Sequence, residues 1–179
     1  MKVPASFSVL KLTPPAAVAG FIVFFALGGT AYMGAQYAAS PPRQPIAFNH
    51  AKHIENGLGC TDCHAGAQNQ AKATLPTIDT CLTCHQTPLS SSPEEAKIRS
   101  LAAAGQDLQW VQLTQLPPHV FFSHRRHVTS GGLACAECHG PVEKSTVPLA
   151  RPFRVLTMTT CLDCHQQHGV NSDCNDCHH

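Results

Sequence analysis

The sequence predicts a mostly irregular chain with short α-helices, one N-terminal transmembrane helix and almost no β-sheet. A twenty-residue run without a charged side chain lies close to the amino terminus. The rest of the chain holds most of the fourteen prolines and twelve glycines and shows no sustained strand alternation. All ten cysteines fall into five copies of one short motif. Together these observations leave little sequence for a conventional core.

The apolar run covers residues 16–35 and predicts a transmembrane helix at 15–36, after a cytoplasmic tail at 1–14. At about 1.5 Å per residue, twenty residues span about 30 Å, the thickness of the hydrocarbon core. Lys2 and Lys11 precede the run and Arg43 is the first basic residue after it, which favours an inside amino terminus. A cleaved signal peptide is the alternative, with Gly29-Thr-Ala31 as a small-residue cleavage site.

Five copies of Cys-x-x-Cys-His account for every cysteine in the chain. Their thiols are Cys60, Cys63, Cys81, Cys84, Cys135, Cys138, Cys161, Cys164, Cys174 and Cys177, and their histidines are His64, His85, His139, His165 and His178. This spacing attaches c-type haem: the two thiols add to the porphyrin vinyl groups and the histidine takes the proximal iron position. Zinc ribbons and disulfide scaffolds do not require a histidine after each pair. We therefore expect five c-type haems.

The predicted haems indicate on which side of the membrane the domain lies and what fills its interior. Haem is attached to c-type cytochromes on the outer side of the energy-conserving membrane, so residues 37–179 should form a periplasmic pentahaem domain. Roughly 145 residues cannot enclose five macrocycles in a conventional core, so the porphyrins should act as apolar filling. The formal charge of +1 and the single basic pair, Arg125-Arg126, give no support for nucleic-acid binding.

An internal duplication organises the haem domain. Phe-x-His-x-x-His occurs at 48–53 and again at 122–127, each time ahead of a haem motif. The second and fourth motifs also match, as Thr-Cys-Leu-x-Cys-His. These matches predict two-haem repeats at about 43–91 and 117–167, with a fifth site at 174–178. Repeats this short should pack against each other.

A bridging helix is predicted between the repeats, at about 93–104. Ser92 suits the N-cap and Pro93 the first helical position. Glu94 and Glu95 complement the positive end of the helix dipole, and Gly105 ends the helix. We expect a structural role for this helix.

Seven histidines outside the motifs can supply the sixth iron ligands. His50, His53, His124 and His127 are the best candidates, because two histidines three apart on a helix diverge slightly and can serve two neighbouring haems. The fifth ligand is Met158 or His119; we favour Met158 slightly, since a thioether would raise the potential of one haem. His168 and His179 are reserves. Six-coordinate iron carries electrons and leaves no position for a substrate, so the chain should not be a catalyst on its own.

The Phe-x-His-x-x-His…Cys-x-x-Cys-His unit resembles the small multihaem cytochromes of the c3/c7 type. A closer resemblance, to the pentahaem subunit of alternative complex III, rests on three stretches: Leu116-Pro-Pro-His-Val-Phe-Phe-Ser-His-Arg-Arg-His-Val128, Gly132-Leu-Ala-Cys-Ala-Glu-Cys-His-Gly-Pro-Val-Glu143 and Leu156-Thr-Met-Thr-Thr-Cys-Leu-Asp-Cys-His165. The anchor followed by five motifs is similar as well.

That resemblance implies a place in a respiratory complex of the cell membrane. The implied partners are an iron–sulfur subunit related to molybdopterin enzymes, polytopic quinol-binding subunits and a monohaem cytochrome c. Electrons from quinol would leave for a soluble cytochrome c, a copper protein or a terminal oxidase.

Three other functions stay open. A NapC/NrfH-like membrane-anchored quinol dehydrogenase also has one N-terminal helix, but usually four haems, the first close to the anchor. Here Cys60 follows the apolar run by 25 residues. An electron-transfer subunit of another periplasmic oxidoreductase fits the motifs equally well. A stand-alone multihaem reductase would need an open iron.

Overall fold

The computed structural model describes residues 14–38 and 41–178. Most of the predicted cytoplasmic tail, and the reserve ligand His179, lie outside the described residues. The chain divides into two compact units, residues 1–41 and 42–179, which are described separately below.

The first unit contains one long helix, α1, at Pro14–Ala38. Two prolines suit its first turn, where the backbone N–H groups have no partner in the helix. A twenty-residue stretch, Ala17–Gln36, is long and apolar enough to cross a membrane. Its large apolar side chains are exposed, Phe24 at 72% and Leu27 at 65%. The helix therefore carries apolar side chains that the described residues do not cover.

The second unit consists of short helices joined by irregular segments. The described part of the chain has no strand, and one antiparallel bridge joins Val120 to His178. The predicted fold class is therefore confirmed. The α-helices are α2 His50–Glu55, α3 Cys60–Cys63, α4 Ile78–His85, α5 Pro93–Ala103, α6 Cys135–His139, α7 Met158–Gln167 and α8 Cys174–Cys177. Single turns of other helix types occur at Ala65–Ala67, Arg126–Ser130 and Val142–Lys144.

Side-chain caps fix where the helices begin. The Asn49 side chain accepts from the backbone N–H of Lys52 and starts α2. Ser92 caps α5 in the same way, with Pro93 in the first turn. The helix predicted at 93–104 thus spans Pro93–Ala103. Thr157 caps α7 by accepting from the backbone N–H of Thr160.

A small apolar core lies where α4 and α5 pack together. Its buried members are Ile46, Ile78, Ile98 and Leu108. Trp110 packs against this core and its indole N–H donates to the Pro76 carbonyl oxygen at 2.8 Å. A core of this size agrees with the expectation that the chain is too short for a conventional interior.

The two halves of the haem domain contact each other reciprocally. Residues 124–129 donate four hydrogen bonds to carbonyl oxygens in segment 68–71, which follows the first motif. In return, the Ala51 N–H of α2 donates to the Ser145 carbonyl oxygen, 3.0 Å away in the turn after the third motif. Each histidine-bearing turn is therefore held by the loop of the other half.

Replacing Ile98 by Ala should destabilise the haem domain by about 2–5 kcal/mol, because it removes buried methylenes and leaves a cavity. Ile98 is 6% exposed. Leu89→Ala is the matched control, since Leu89 is 63% exposed. Urea unfolding of the haem-loaded chain in detergent, followed by far-UV circular dichroism, measures the difference. Equal midpoints for the two variants would contradict the assignment of this core.

Candidate haem-binding sites

The helices place both thiols of each motif on one side. Positions three apart share a helix face, so a Cys-x-x-Cys turn presents two sulfur atoms to one group. Acidic residues between the cysteines set the start of two of these helices. The Asp62 carboxylate accepts from the Gly59 N–H at 2.7 Å, and Glu137 accepts from the Ala134 N–H at 2.9 Å. All ten thiols are free.

This arrangement offers no alternative metal centre built from protein ligands alone. Among residues 14–38 and 41–178, no three His, Cys, Asp or Glu side chains come together in a way that could hold a metal ion. A zinc ribbon needs four converging ligands and a disulfide scaffold needs paired sulfurs. Among the described residues, neither such a ligand set nor a disulfide is found.

The first motif lies beside both the third and the second. Burial raises the pKa of the Cys60 thiol, and the neighbouring Cys135 thiol raises it further, partly through a hydrogen bond between the two. Burial also raises the pKa of Cys63, with smaller contributions from Asp62 and from Cys84 of the second motif. The second, first and third motifs are therefore successive neighbours.

The remaining motifs continue this row. Burial raises the pKa of the Cys138 thiol, and the largest contribution after burial comes from Cys164 of the fourth motif. Burial likewise raises the pKa of Cys161, followed by the effect of Cys177 in the fifth motif. Neighbouring thiols thus order the motifs as second, first, third, fourth and fifth.

The duplicated Phe-x-His-x-x-His sequence has the same geometry in both copies. Phe48 stacks on the His53 ring at 4.3 Å and 28°, and Phe122 stacks on His127 at 4.6 Å and 28°. The earlier histidine of each copy meets the same phenylalanine edge-on, at 85° and 87°. The two imidazoles of each copy therefore differ in orientation relative to the shared phenylalanine ring.

Each of four motif histidines faces a second imidazole at a nearly constant separation. The ring centres are 6.1 Å apart for His53 and His85, 6.2 Å for His124 and His139, 6.1 Å for His127 and His165, and 5.5 Å for His119 and His178. Two imidazoles that bind one metal ion from opposite sides, through bonds of about 2.0 Å, have ring centres about 6 Å apart. The three pairs at 6.1–6.2 Å have the separation expected for an iron held between them, whereas the His119 and His178 rings lie closer together.

His50 lies in the neighbourhood of the remaining motif histidine, His64. Burial lowers the pKa of His50, and the nearby His64 lowers it further, ahead of His53. All five histidines of the Cys-x-x-Cys-His motifs therefore have a second imidazole in their surroundings.

Backbone carbonyl groups orient five of these imidazoles. A carbonyl oxygen only accepts, so an Nδ1 atom within hydrogen-bonding distance of it must carry the hydrogen, and Nε2 is left free to bind a metal. The Nδ1 contacts are His53 to Asn49 at 2.8 Å, His64 to Thr74 at 2.8 Å, His124 to Ala71 at 3.0 Å, His127 to Ser123 at 2.9 Å and His165 to Asn171 at 3.3 Å.

Thr74 is a functional residue that sequence reasoning missed. Its φ of 65° lies in the left-handed region, which a β-branched residue rarely adopts. In that conformation its carbonyl oxygen meets His64, while its hydroxyl accepts from the Gly66 N–H at 3.3 Å. Gly66 has no room for a side chain, since a Cβ atom there would lie 2.3 Å from the Lys72 oxygen. The glycine at position 66 is therefore the sequence feature that could have indicated this close approach of two backbone segments.

The two candidates for the fifth distal ligand lie in different surroundings. His119 stacks beside His178, and the Phe121 N–H donates to the Cys177 oxygen at 2.7 Å, which holds segment 119–121 against α8. Met158 begins α7 and is 62% exposed. The sequence slightly favoured Met158, whereas this geometry favours His119. The reserve His168 is the exposed C-cap of α7.

Comparison with known proteins identifies the family of this chain. The family model for cytochrome c3 matches residues 52–148, more than half of the chain. This chain belongs to the cytochrome c3 family. The resemblance to c3-type cytochromes is therefore confirmed, and the cytochrome carries covalently bound c-type haems that transfer electrons.

A curated relative gives a more specific comparison. The cytochrome is 34% identical over 122 residues to the menaquinone reductase multiheme cytochrome c subunit of Nitratidesulfovibrio vulgaris Hildenborough. The alignment covers 67% of the cytochrome and 56% of that protein. The cytochrome thus matches little more than half of the relative's length.

Replacing His119 by Ala should open one iron, because it removes the imidazole facing His178. We expect a high-spin fraction in the oxidised spectrum and binding of carbon monoxide after reduction. Met158→Ala is the control and should leave the spectrum low-spin. Carbon monoxide binding by the Met158 variant, with an inert His119 variant, would contradict this ligand choice.

Proposed function

We propose that this cytochrome is the pentahaem electron carrier of a membrane quinol-oxidising complex of the alternative complex III type. It would pass electrons from quinol towards a periplasmic cytochrome c, a copper protein or a terminal oxidase. The observation that carries the proposal is the series of neighbouring motifs, four of which have a second imidazole ring close to the motif histidine. A chain arranged in this way connects two distant partners without binding a substrate.

The proposed ligand set uses ten histidines. Each pair of motif thiols holds one haem covalently, and the histidine of the same motif binds its iron. The proposed pairs of proximal and distal ligands are His64 with His50, His85 with His53, His139 with His124, His165 with His127, and His178 with His119. When bound, each haem supplies an iron that changes oxidation state by one electron. Imidazoles on both sides leave no open position, so we do not propose catalysis by this subunit.

Shared turns keep the row continuous. Helix α2 carries His50 and His53, which serve the first and second sites, so one short helix fixes two neighbouring irons. The turn at Arg126–Ser130 does the same for the third and fourth sites through His124 and His127. The Cys60–Cys135 contact joins the two halves. The second and fifth motifs then form the two ends, where partner proteins must approach.

We further propose that α1 holds this row at the membrane. The helix crosses once with the amino terminus inside, and the haem domain lies on the periplasmic side. Its apolar surface supports this, because a helix with no polar face is stable where lipid or other apolar helices cover it. The proposed partners are an iron–sulfur and molybdopterin-like subunit, polytopic quinol-binding subunits and a monohaem cytochrome c.

The curated relative favours a second candidate in the same class. Its name describes a menaquinone reductase, in which electrons reach the quinone instead of leaving it. The cytochrome would then take electrons from a periplasmic donor. The row of motifs can carry electrons in either direction. The identity of the partner subunits and of the electron donor therefore distinguishes quinol oxidation from quinone reduction.

Purification from gently solubilised native membranes tests the proposal. We expect the full-length cytochrome with an iron–sulfur subunit and polytopic quinol-binding subunits, and rapid haem reduction by menaquinol. Mass spectrometry should also find peptides from before residue 31, since an anchor is retained and a signal peptide is not. Haem reduction only by a periplasmic donor, in a complex that then reduces quinone, would favour the menaquinone reductase alternative. Recovery without membrane partners would contradict both.

Removal of single haem sites tests the proposed order of the motifs along the row. Cys60→Ala with Cys63→Ala removes an inner site, whereas Cys174→Ala with Cys177→Ala removes an end site. In the complex, the end-site variant should retain four haems that menaquinol reduces at the wild-type rate. The inner-site variant should show a fast and a slow fraction, because the row is interrupted. Identical single-phase reduction of both variants would contradict this order.

A further inference from the structure

Glu95 is a buried carboxylate beside a motif histidine. It lies in the first turn of α5 and is 8% exposed. The sequence assigned it a helix-dipole role together with Glu94. In the structure its Oε1 atom lies 3.7 Å from Nδ1 of His85, the histidine of the second motif. At this position the carboxylate can act on the His85 imidazole as well as on the helix dipole.

Three donors hold the Glu95 carboxylate in place. The Leu89 and Ser90 N–H groups donate to Oε2 at 2.9 and 3.3 Å, and the Ser90 hydroxyl donates to Oε1 at 2.8 Å. The Ser90 hydroxyl is the main reason that the pKa of Glu95 lies below its usual value. Arg99 lies 3.7 Å from Oε2, on the side away from the oxygen that faces His85. These three hydrogen bonds therefore fix the orientation of the carboxylate.

The surroundings of His85 differ from those of the other oriented imidazoles. Five histidines of the haem sites have Nδ1 against a neutral backbone carbonyl oxygen. The buried Nδ1 of His85 has no hydrogen-bond partner and faces a charged oxygen instead. A negative charge this close to the imidazole of a metal ligand stabilises the more positive oxidation state of the metal.

We propose that the Glu95 carboxylate, 3.7 Å from Nδ1 of His85, acts through its charge and lowers the reduction potential of the iron at the second motif. This inference rests on the proposed function, since it requires an electron-carrying iron between His53 and His85. Because the second motif is one end of the row, Glu95 would set the low-potential end. Electrons would then move downhill from the second motif towards the rest of the chain.

The test compares Glu95→Gln with Glu94→Gln in the full-length, haem-loaded protein. Both variants lose one negative charge from the same helix turn. Glutamine at 95 can still accept from the Leu89 and Ser90 N–H groups, so the fold should be kept. The Glu94 side chain instead accepts from the Ala47 N–H at 2.7 Å and from Lys97. An equilibrium redox titration followed by electron paramagnetic resonance resolves the haem components.

We expect one component of Glu95→Gln to become easier to reduce, with a tenfold change in its reduced-to-oxidised ratio at fixed potential, or about 59 mV for one electron. Glu94→Gln should leave that component in place, and Glu95→Asp, which keeps the charge, should restore most of the shift. An unchanged titration for Glu95→Gln, or an equal shift in Glu94→Gln, would overturn the inference. Haem content is measured on the same samples: fewer than five haems in the unaltered chain would contradict the proposed function instead.

Discussion

The close approach of imidazole rings at the Cys-x-x-Cys-His motifs is the constraint on which the rest of the structure depends. The apolar core contains only a few buried side chains around Ile98 and Leu108 in the described part of the chain. Segments far apart in sequence, such as His119 and His178, meet as imidazole pairs instead. Iron ligation would therefore do the work that apolar packing does in larger domains. The irregular backbone follows from this, since ligands need position and not regular secondary structure.

The duplication explains how so short a chain forms a continuous row. In the proposed ligand set, one turn bearing two histidines that contact the same phenylalanine would serve two sites at once. Repeating that turn gives four sites, and the reciprocal hydrogen bonds between the halves bring the first motif against the third. The fifth motif extends the row through the segment that begins at His119. Electron transfer needs closely spaced irons, and the repeat supplies that spacing through local geometry.

Much of this could be predicted from sequence because covalent attachment imposes a fixed spacing. The Cys-x-x-Cys-His motifs identify thiols and proximal ligands, and the repeated Phe-x-His-x-x-His points to four further histidines. The neighbour of each imidazole could not be predicted, because it depends on long-range contacts. Thr74 and Glu95 illustrate the difference: their effects come from a carbonyl in a left-handed turn and from a buried carboxylate. The choice between His119 and Met158 depended in the same way on how segment 119–121 docks on α8.

Near-infrared magnetic circular dichroism of the oxidised, full-length cytochrome tests the central claim most directly, because its charge-transfer bands distinguish bis-histidine iron from histidine–methionine iron. Combined with a haem count on the same sample, it reports every site at once. The account predicts five haems per chain, all with two histidine ligands. A methionine-ligated component, or a haem count below five, would contradict it.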